Sequence, residues 1–155
     1  MTILRMTETY AHAISRWKYD DIYSFYDQDE SHIAGLMDGT HFVCIDEDGT
    51  LIGYYCFGAE ARIPTVESDV YDENYLDIGL GMRPDLCGQG YGLSFLSDGL
   101  NYGKKLYGTD KYRLSVATFN KRAIKLYDNA GFEAWREVTN SYYNTKFLVM
   151  LYDWS

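Results

Sequence analysis

The chain has 155 residues, 46% hydrophobic and 24% charged, which suits one domain around a single buried core. Fourteen Lys and Arg against 23 Asp and Glu give a formal net charge of −9, which repels phosphate backbones and acidic membrane surfaces and argues against a nucleic-acid partner. No apolar run approaches the ~20 residues that span a bilayer, and residues 1–6 lack a secretion-signal pattern, so a cytoplasmic chain with no membrane partner is expected.

Residues 2–6 read as a short strand, and residues 7–18 as a helix with Ala11, Ile14 and Trp17 on one face. A second, less regular helix is predicted over residues 21–37, carrying Tyr23, Phe25 and Tyr26. Asp46-Glu47-Asp48-Gly49 between the β-rich runs 41–45 and 51–57 predicts a hairpin. Residues 75–82 form a fourth strand that Pro84 ends. The next helix begins near Gly90, with Leu93, Leu96, Leu100 and Leu106 near one face. Residues 111–118 are strand-like, Asn120 is a helix N-cap and Gly131 stands at the C′ position of that helix. Two closing strands span about 132–138 and 143–152. The pattern is an α/β (α+β) sheet, mostly antiparallel with a parallel pair at its centre.

Of the three cysteines, Cys44 and Cys56 fall in apolar strands and read as core packing; none has the CxxC spacing of a zinc site. No metal is expected. His12, His32 and His41 are scattered and read as surface or helix residues.

The sharpest chemical signal is Met82-Arg83-Pro84-Asp85-Leu86-Cys87-Gly88-Gln89-Gly90-Tyr91-Gly92, between a strand and a helix. Alternate glycines let backbone amides turn inward together, and the helix adds its positive N-terminal end. Such a turn suits a phosphate or pyrophosphate; the plain alternative is an ordinary tight turn. Gly90 is followed by Tyr91-Gly92 rather than Lys-Ser/Thr, and Leu93 stands where a dinucleotide fingerprint needs glycine, so both nucleotide patterns fail.

Asn120, Ala123, Tyr127 and Gly131-Phe132 supply a second signature. With the loop, these residues resemble the GNAT superfamily of acyl-CoA-dependent N-acetyltransferases over roughly residues 75–132. The family's loop reads Arg/Gln-x-x-Gly-x-Gly/Ala, and its helix reads Asn-x-x-Ala-x-x-x-Tyr followed by Gly-Phe. The loop departs from that pattern at its first position, Cys87, which reads either as a small packing residue or as a thiol drawn toward thiolate beside a pyrophosphate.

The resemblance implies a GNAT-like sheet of about six or seven strands with about four helices, splayed between the fourth and fifth strands. It implies acetyl-CoA as co-substrate, held by Cys87, Gly88, Gln89, Gly90, Tyr91 and Gly92 together with Asn120 and Ala123. A backbone amide near Met82 would polarise the thioester carbonyl, and Tyr127 would protonate the leaving thiolate, a task that suits a phenol of ordinary pKa ~10. By itself, Tyr127 reads equally well as a core-facing aromatic. The base stays open between a water chain and a carboxylate, the candidates being Asp77, which shares a strand face with Gly79 and Gly81, Glu60 and Glu67. The acceptor would be a primary amine of a small molecule or peptide. Trp17, Tyr19, Tyr23, Phe25, Tyr26 and Tyr54 are its candidate contacts through cation–π interaction. Homodimers are common in this family. A non-catalytic acyl-CoA-binding sensor is the alternative from another class.

Overall fold

The computed structural model describes residues 1–154. Seven strands hydrogen-bond in the order β1-β2-β3-β4-β5-β7-β6: β1 (Thr2–Arg5), β2 (His41–Ile45), β3 (Leu51–Phe57), β4 (Leu76–Met82), β5 (Lys111–Ala117), β6 (Glu133–Thr139) and β7 (Lys146–Asp153). The helices are α1 (Glu8–Ser15), α2 (Ile33–Leu36), α3 (Gly92–Tyr107) and α4 (Lys121–Ala130). β4 and β5 are parallel and share the registered pairs Leu76↔Tyr112 and Asp77↔Arg113. The pairs β1–β2, β2–β3, β5–β7 and β6–β7 are antiparallel. No described helix is long and apolar enough to cross a membrane.

The described residues fall into two compact units, one of residues 1–56 with 80–99 and one of residues 57–79 with 100–154. In the first, Thr7 caps α1 by accepting from the Tyr10 amide at 3.3 Å. The Asp46 carboxylate takes the amides of Asp48 and Thr50, both at 2.9 Å, and so closes the β2–β3 hairpin. One sheet face packs Val43 against Ala11, Ile14 and Leu36, with Trp17 and Tyr54 at the margin. On the other face the rings of Tyr55 and Phe95 stack at 4.5 Å, and the Tyr55 hydroxyl donates to the Phe95 carbonyl at 2.6 Å. Cys44 and Cys56 are both buried in this core, as expected for packing residues.

The second unit buries Tyr112, Phe132, Val138, Val149 and Met150. The Tyr112 hydroxyl donates to the Leu100 carbonyl at 2.6 Å. Asn140 closes the β6–β7 turn by accepting from the amides of Tyr142 (2.9 Å) and Tyr143 (3.1 Å), so β7 starts at Lys146 rather than 143.

Two expectations are corrected. The helix expected over 21–37 is instead a 3₁₀ turn Asp21–Tyr26, a second one Glu30–His32 and the single turn α2. Carboxylates compete with helical bonding there: Asp27 accepts from the Tyr19 amide and Asp29 from the Ser31 amide, both at 2.8 Å, while Asp21 sits at φ 49. Along α3, Leu93 (50% exposed) and Leu106 (51%) face solvent, and the covered stripe runs through Phe95, Leu96, Gly99, Leu100 and Gly103.

Candidate active site

The glycine loop begins where β4 ends. Arg83 clamps the corner: its Nε and Nη2 hold Asp85 at 2.6 and 3.2 Å, and its Nη1 donates to the Leu51 carbonyl at 3.1 Å. Pro84–Leu86 forms a 3₁₀ turn. The amides of Cys87 and Gln89 stay inside this turn, donating to the carbonyls of Pro84 and Leu86 at 3.3 Å each. Gly88 and Gly90 then adopt left-handed φ values of 74 and 88. A Cβ on Gly90 would meet nothing within 4 Å, so the glycine is required by backbone conformation rather than by space. Among the described residues, the amides of Gly88, Gly90 and Gly92 donate to no internal acceptor, and Gly88–Tyr91 are exposed. Gly92 opens the 16-residue α3. Amides without acceptors at the start of a long helix fit a pyrophosphate.

Met82 is the last residue of β4. The next amide, that of Arg83, donates back to the Ile52 carbonyl of β3 at 2.8 Å. Successive strand amides alternate between edges, so the Met82 amide points away from β3. The Met82 carbonyl accepts from the Tyr19 hydroxyl at 2.7 Å. The Cys87 thiol folds back over the same corner, with Sγ 3.8 Å from the Met82 carbonyl oxygen and 3.7 Å from that of Arg83. Both carbonyls lie within reach of the weak S–H donor.

In the second unit, Asn120 is the N-cap of α4 and its Oδ1 accepts from the Ala123 amide at 3.2 Å. Gly131 ends the helix at φ 108, and the Phe132 amide donates to the Tyr127 carbonyl at 3.0 Å. The signature from Asn120 to Phe132 is therefore one capped helix. Tyr127 is 8% exposed, its ring 6.0 Å from that of Phe132.

Asp77 is 2% exposed and lies beside Arg113, its register partner on β5. Arg113 is 1% exposed and grips both carboxylate oxygens, Nε and Nη2 each at 2.7 Å, while Arg62 Nε adds a third bond at 2.8 Å. Arg113 also donates to the Asp72 carbonyl at 2.8 Å and lies 5.0 Å from the Tyr71 ring centre. The bond that Arg62 donates to Asp77 raises its guanidinium above its ordinary pKa, and the Asn74 amide followed by Arg113 lowers the Asp72 carboxyl. Both oxygens of Asp77 thus serve guanidinium donors in a buried ion cluster. Of the other nominated bases, Glu60 sits exposed in a 3₁₀ turn and Glu67 accepts from the Thr139 amide at 2.8 Å.

All six aromatic acceptor candidates lie in the first unit. The ring centres of Trp17 and Tyr54 are 6.2 Å apart, and Gln28 Nε2 donates to the Tyr54 hydroxyl at 2.5 Å. Burial pushes the Tyr54 phenol up to about 12. Its ring lies on Gly81, where an added Cβ would come within 2.4 Å of it. Phe25 and Tyr26 instead pack edge to face against each other at 5.4 Å. His41 proves not to be a surface residue: its side chain is 12% exposed, its Nδ1 lies 3.0 Å from Asp38, and its ring is 6.3 Å from that of Tyr54.

Sequence reasoning missed the partners Arg62, Arg113 and Gln28. An arginine inside the apolar run Tyr112-Arg113-Leu114 was the available signal, since a buried charge demands a counter-charge. Among the described residues, no group of three or more His, Cys, Asp or Glu is arranged to hold a metal ion.

The model of the acetyltransferase (GNAT) family matches residues 5–132, which include parts of both units. A search of the curated proteins finds no match. Among solved structures, a chimera of spermidine N-acetyltransferase SpeG from Vibrio cholerae with hSSAT aligns at 17% identity and TM-score 0.70, covering 99% of this chain and 96% of that one. A point mutant of the Vibrio cholerae enzyme aligns at 17% and 0.70 over 99% and 95%. The same bacterium's spermidine/spermine N-acetyltransferase SpeG in complex with manganese ions aligns at 17% and 0.68 over 97% and 90%. At such identities the likeness speaks for the fold, which is GNAT-like.

Proposed function

The chain belongs to the acetyltransferase (GNAT) family, and from that premise we propose that it transfers the acetyl group of acetyl-CoA to a primary amine of a small, cationic molecule. The single observation that carries the donor assignment is the glycine loop, whose Gly88, Gly90 and Gly92 amides have no internal acceptor among the described residues. An acyl-CoA carries a pyrophosphate for such amides and a thioester for the family's chemistry. The preference for a cation is supported by the formal charge of −9 and by the half-buried rings of Trp17 and Tyr54. A polyamine-like acceptor is further favoured by the activity named for the solved structures of similar fold.

In the proposed reaction the neutral amine attacks the thioester carbonyl, so a C–N bond forms as the C–S bond breaks. The Met82 amide polarises that carbonyl. The Tyr127 hydroxyl gives its proton to the departing thiolate, and the surplus proton on nitrogen leaves to water. Asn120 keeps the start of α4 in place and holds the pantetheine arm. Asp77 is assigned to the ion cluster and not to the base, because both of its oxygens already accept from two guanidiniums. Water serves as base.

Replacing Tyr127 with Phe tests the assignment. Turnover is expected to fall by about 10²-fold or more, the usual loss for a general acid, while calorimetric binding of acetyl-CoA stays within a factor of about two. Full turnover in Tyr127→Phe would remove Tyr127 from the chemistry. A wild-type chain that binds no acetyl-CoA would remove the donor.

A further inference from the structure

The end of β4 is made of residues with weak backbone preference: Gly79 and Gly81 alternate with Leu80 and Met82. Glycine leaves a strand soft. Yet the proposed chemistry needs the Met82 amide to keep one direction. Something outside the strand must supply the stiffness.

The peptide unit joining Met82 to Arg83 is held at both of its polar ends. Its N–H, that of Arg83, donates to the Ile52 carbonyl at 2.8 Å. Its C=O, that of Met82, accepts from the Tyr19 hydroxyl at 2.7 Å. A peptide clamped at both ends turns only by losing one of those bonds, each worth about 1 kcal/mol net. The Met82 amide lies in the adjacent peptide and turns about the same Met82 Cα, so the clamp narrows its range to the φ and ψ of Met82. The Tyr54 ring blocks the remaining freedom at Gly81 by lying against it.

Tyr19 is itself fixed. Its amide donates to Asp27 Oδ1 at 2.8 Å, and burial raises its phenol well above the ordinary value, which keeps the hydroxyl a donor through neutral and mildly alkaline pH. Its neighbours are tied into the same patch. Trp17 packs on Tyr54, the Lys18 ammonium donates to the Gln28 carbonyl at 3.1 Å, and Gln28 Nε2 donates to Tyr54. The segment 17–28 thus carries five of the six aromatic acceptor candidates and, through one hydroxyl, grips the strand end that carries the donor's polarising amide.

We propose that Tyr19 is a positioning residue: by donating to the Met82 carbonyl it fixes the direction of the Met82 amide and couples the acceptor-side segment to the donor strand. This rests on the acetyl-CoA reading above, with Met82 as the polarising group. Tyr19 touches neither reacting atom; it acts through the Met82–Arg83 peptide.

Tyr19→Phe removes only the donor and keeps the ring. Two measurements on the full chain decide the proposal: amide hydrogen exchange across residues 80–86, and kcat with the Kd for acetyl-CoA. Exchange at the Arg83 amide is expected to quicken about fivefold, as loss of one bond of about 1 kcal/mol implies. The value of kcat is expected to fall about tenfold, less than the 10²–10³ lost when an oxyanion donor is deleted outright. The Kd is expected to hold within a factor of about two, because the glycine loop is untouched.

Unchanged exchange overturns the clamp. Faster exchange with unchanged kcat overturns the positioning role, as does a kcat loss matched by an equal weakening of acetyl-CoA binding. If the wild-type chain binds no acetyl-CoA, the donor reading falls and the positioning role with it, while the exchange result still shows whether the hydroxyl clamps the peptide.

Discussion

Arg113 is the largest of the fully buried side chains, at 1% exposure. A guanidinium so far from water survives because Asp77 meets two of its nitrogens at 2.7 Å, the Asp72 carbonyl meets one at 2.8 Å, and the Tyr71 ring lies against it. Removing one partner leaves the other charged and buried, which typically costs about 3–5 kcal/mol. Asp77→Asn is therefore expected to lose stability on that scale in urea denaturation, while the fraction that remains folded keeps its turnover. A fully stable but inactive Asp77→Asn would instead make Asp77 the base. Asn120, Tyr127 and Gly131 were legible in the sequence because a capped helix is written in consecutive residues. The Asp77 cluster was not, since Asp77 and Arg113 stand 36 positions apart and no local rule pairs them. Cys87 lies between these cases: its place in the loop was readable, but the carbonyls that its thiol meets were not.

At the scale of elements, glycines decide where α3 can lie. A Cβ on Gly99 would fall 2.5 Å from the Tyr55 ring, which is fixed by its stack on Phe95 and its bond to the Phe95 carbonyl. Gly35 in α2 has nothing within 4 Å. The same substitution should therefore change sign. Gly99→Ala gains about 1 kcal/mol of helix propensity but meets an overpacking cost of about 1–3 kcal/mol or more, for a net loss. Gly35→Ala is expected to gain up to about 1 kcal/mol. Thermal melts of the two variants beside the wild type check this, and equal shifts would contradict the packing described. The leucine spacing of α3 misled at Leu93 and Leu106 because periodicity counts large apolar residues and overlooks glycines that admit a partner's ring. The expected helix over 21–37 failed for another reason. Its aspartates bind nearby amides, an effect that propensity only hints at. The hairpin at Asp46–Gly49 was fully readable, since its turn chemistry is local.

For the whole molecule, the order of strands and helices followed from hydrophobic period and turn residues, and the central parallel pair from the strand–helix–strand run between β4 and β5. The neighbour order, with β7 between β5 and β6, needs pairings between distant segments that no spacing rule supplies. The family match over residues 5–132 agrees with the two signatures that the sequence displays. The acceptor was the least legible feature. Its candidate contacts are aromatics that also build the core, and Trp17, Tyr19 and Tyr54 are brought together only by folding. The net charge of −9 draws cations without naming one. The central claim is acetyl transfer from acetyl-CoA to an amine, and its most direct test is the mass of the product. The protein is incubated with acetyl-CoA and a panel of polyamines, amino acids, peptides and aminoglycosides, with free CoA measured alongside. An acetylated amine is expected, with one CoA released per acetyl group and a polyamine as the best acceptor. Tight acetyl-CoA binding with no acetylated product from any amine would contradict the account and leave a non-catalytic acyl-CoA-binding protein.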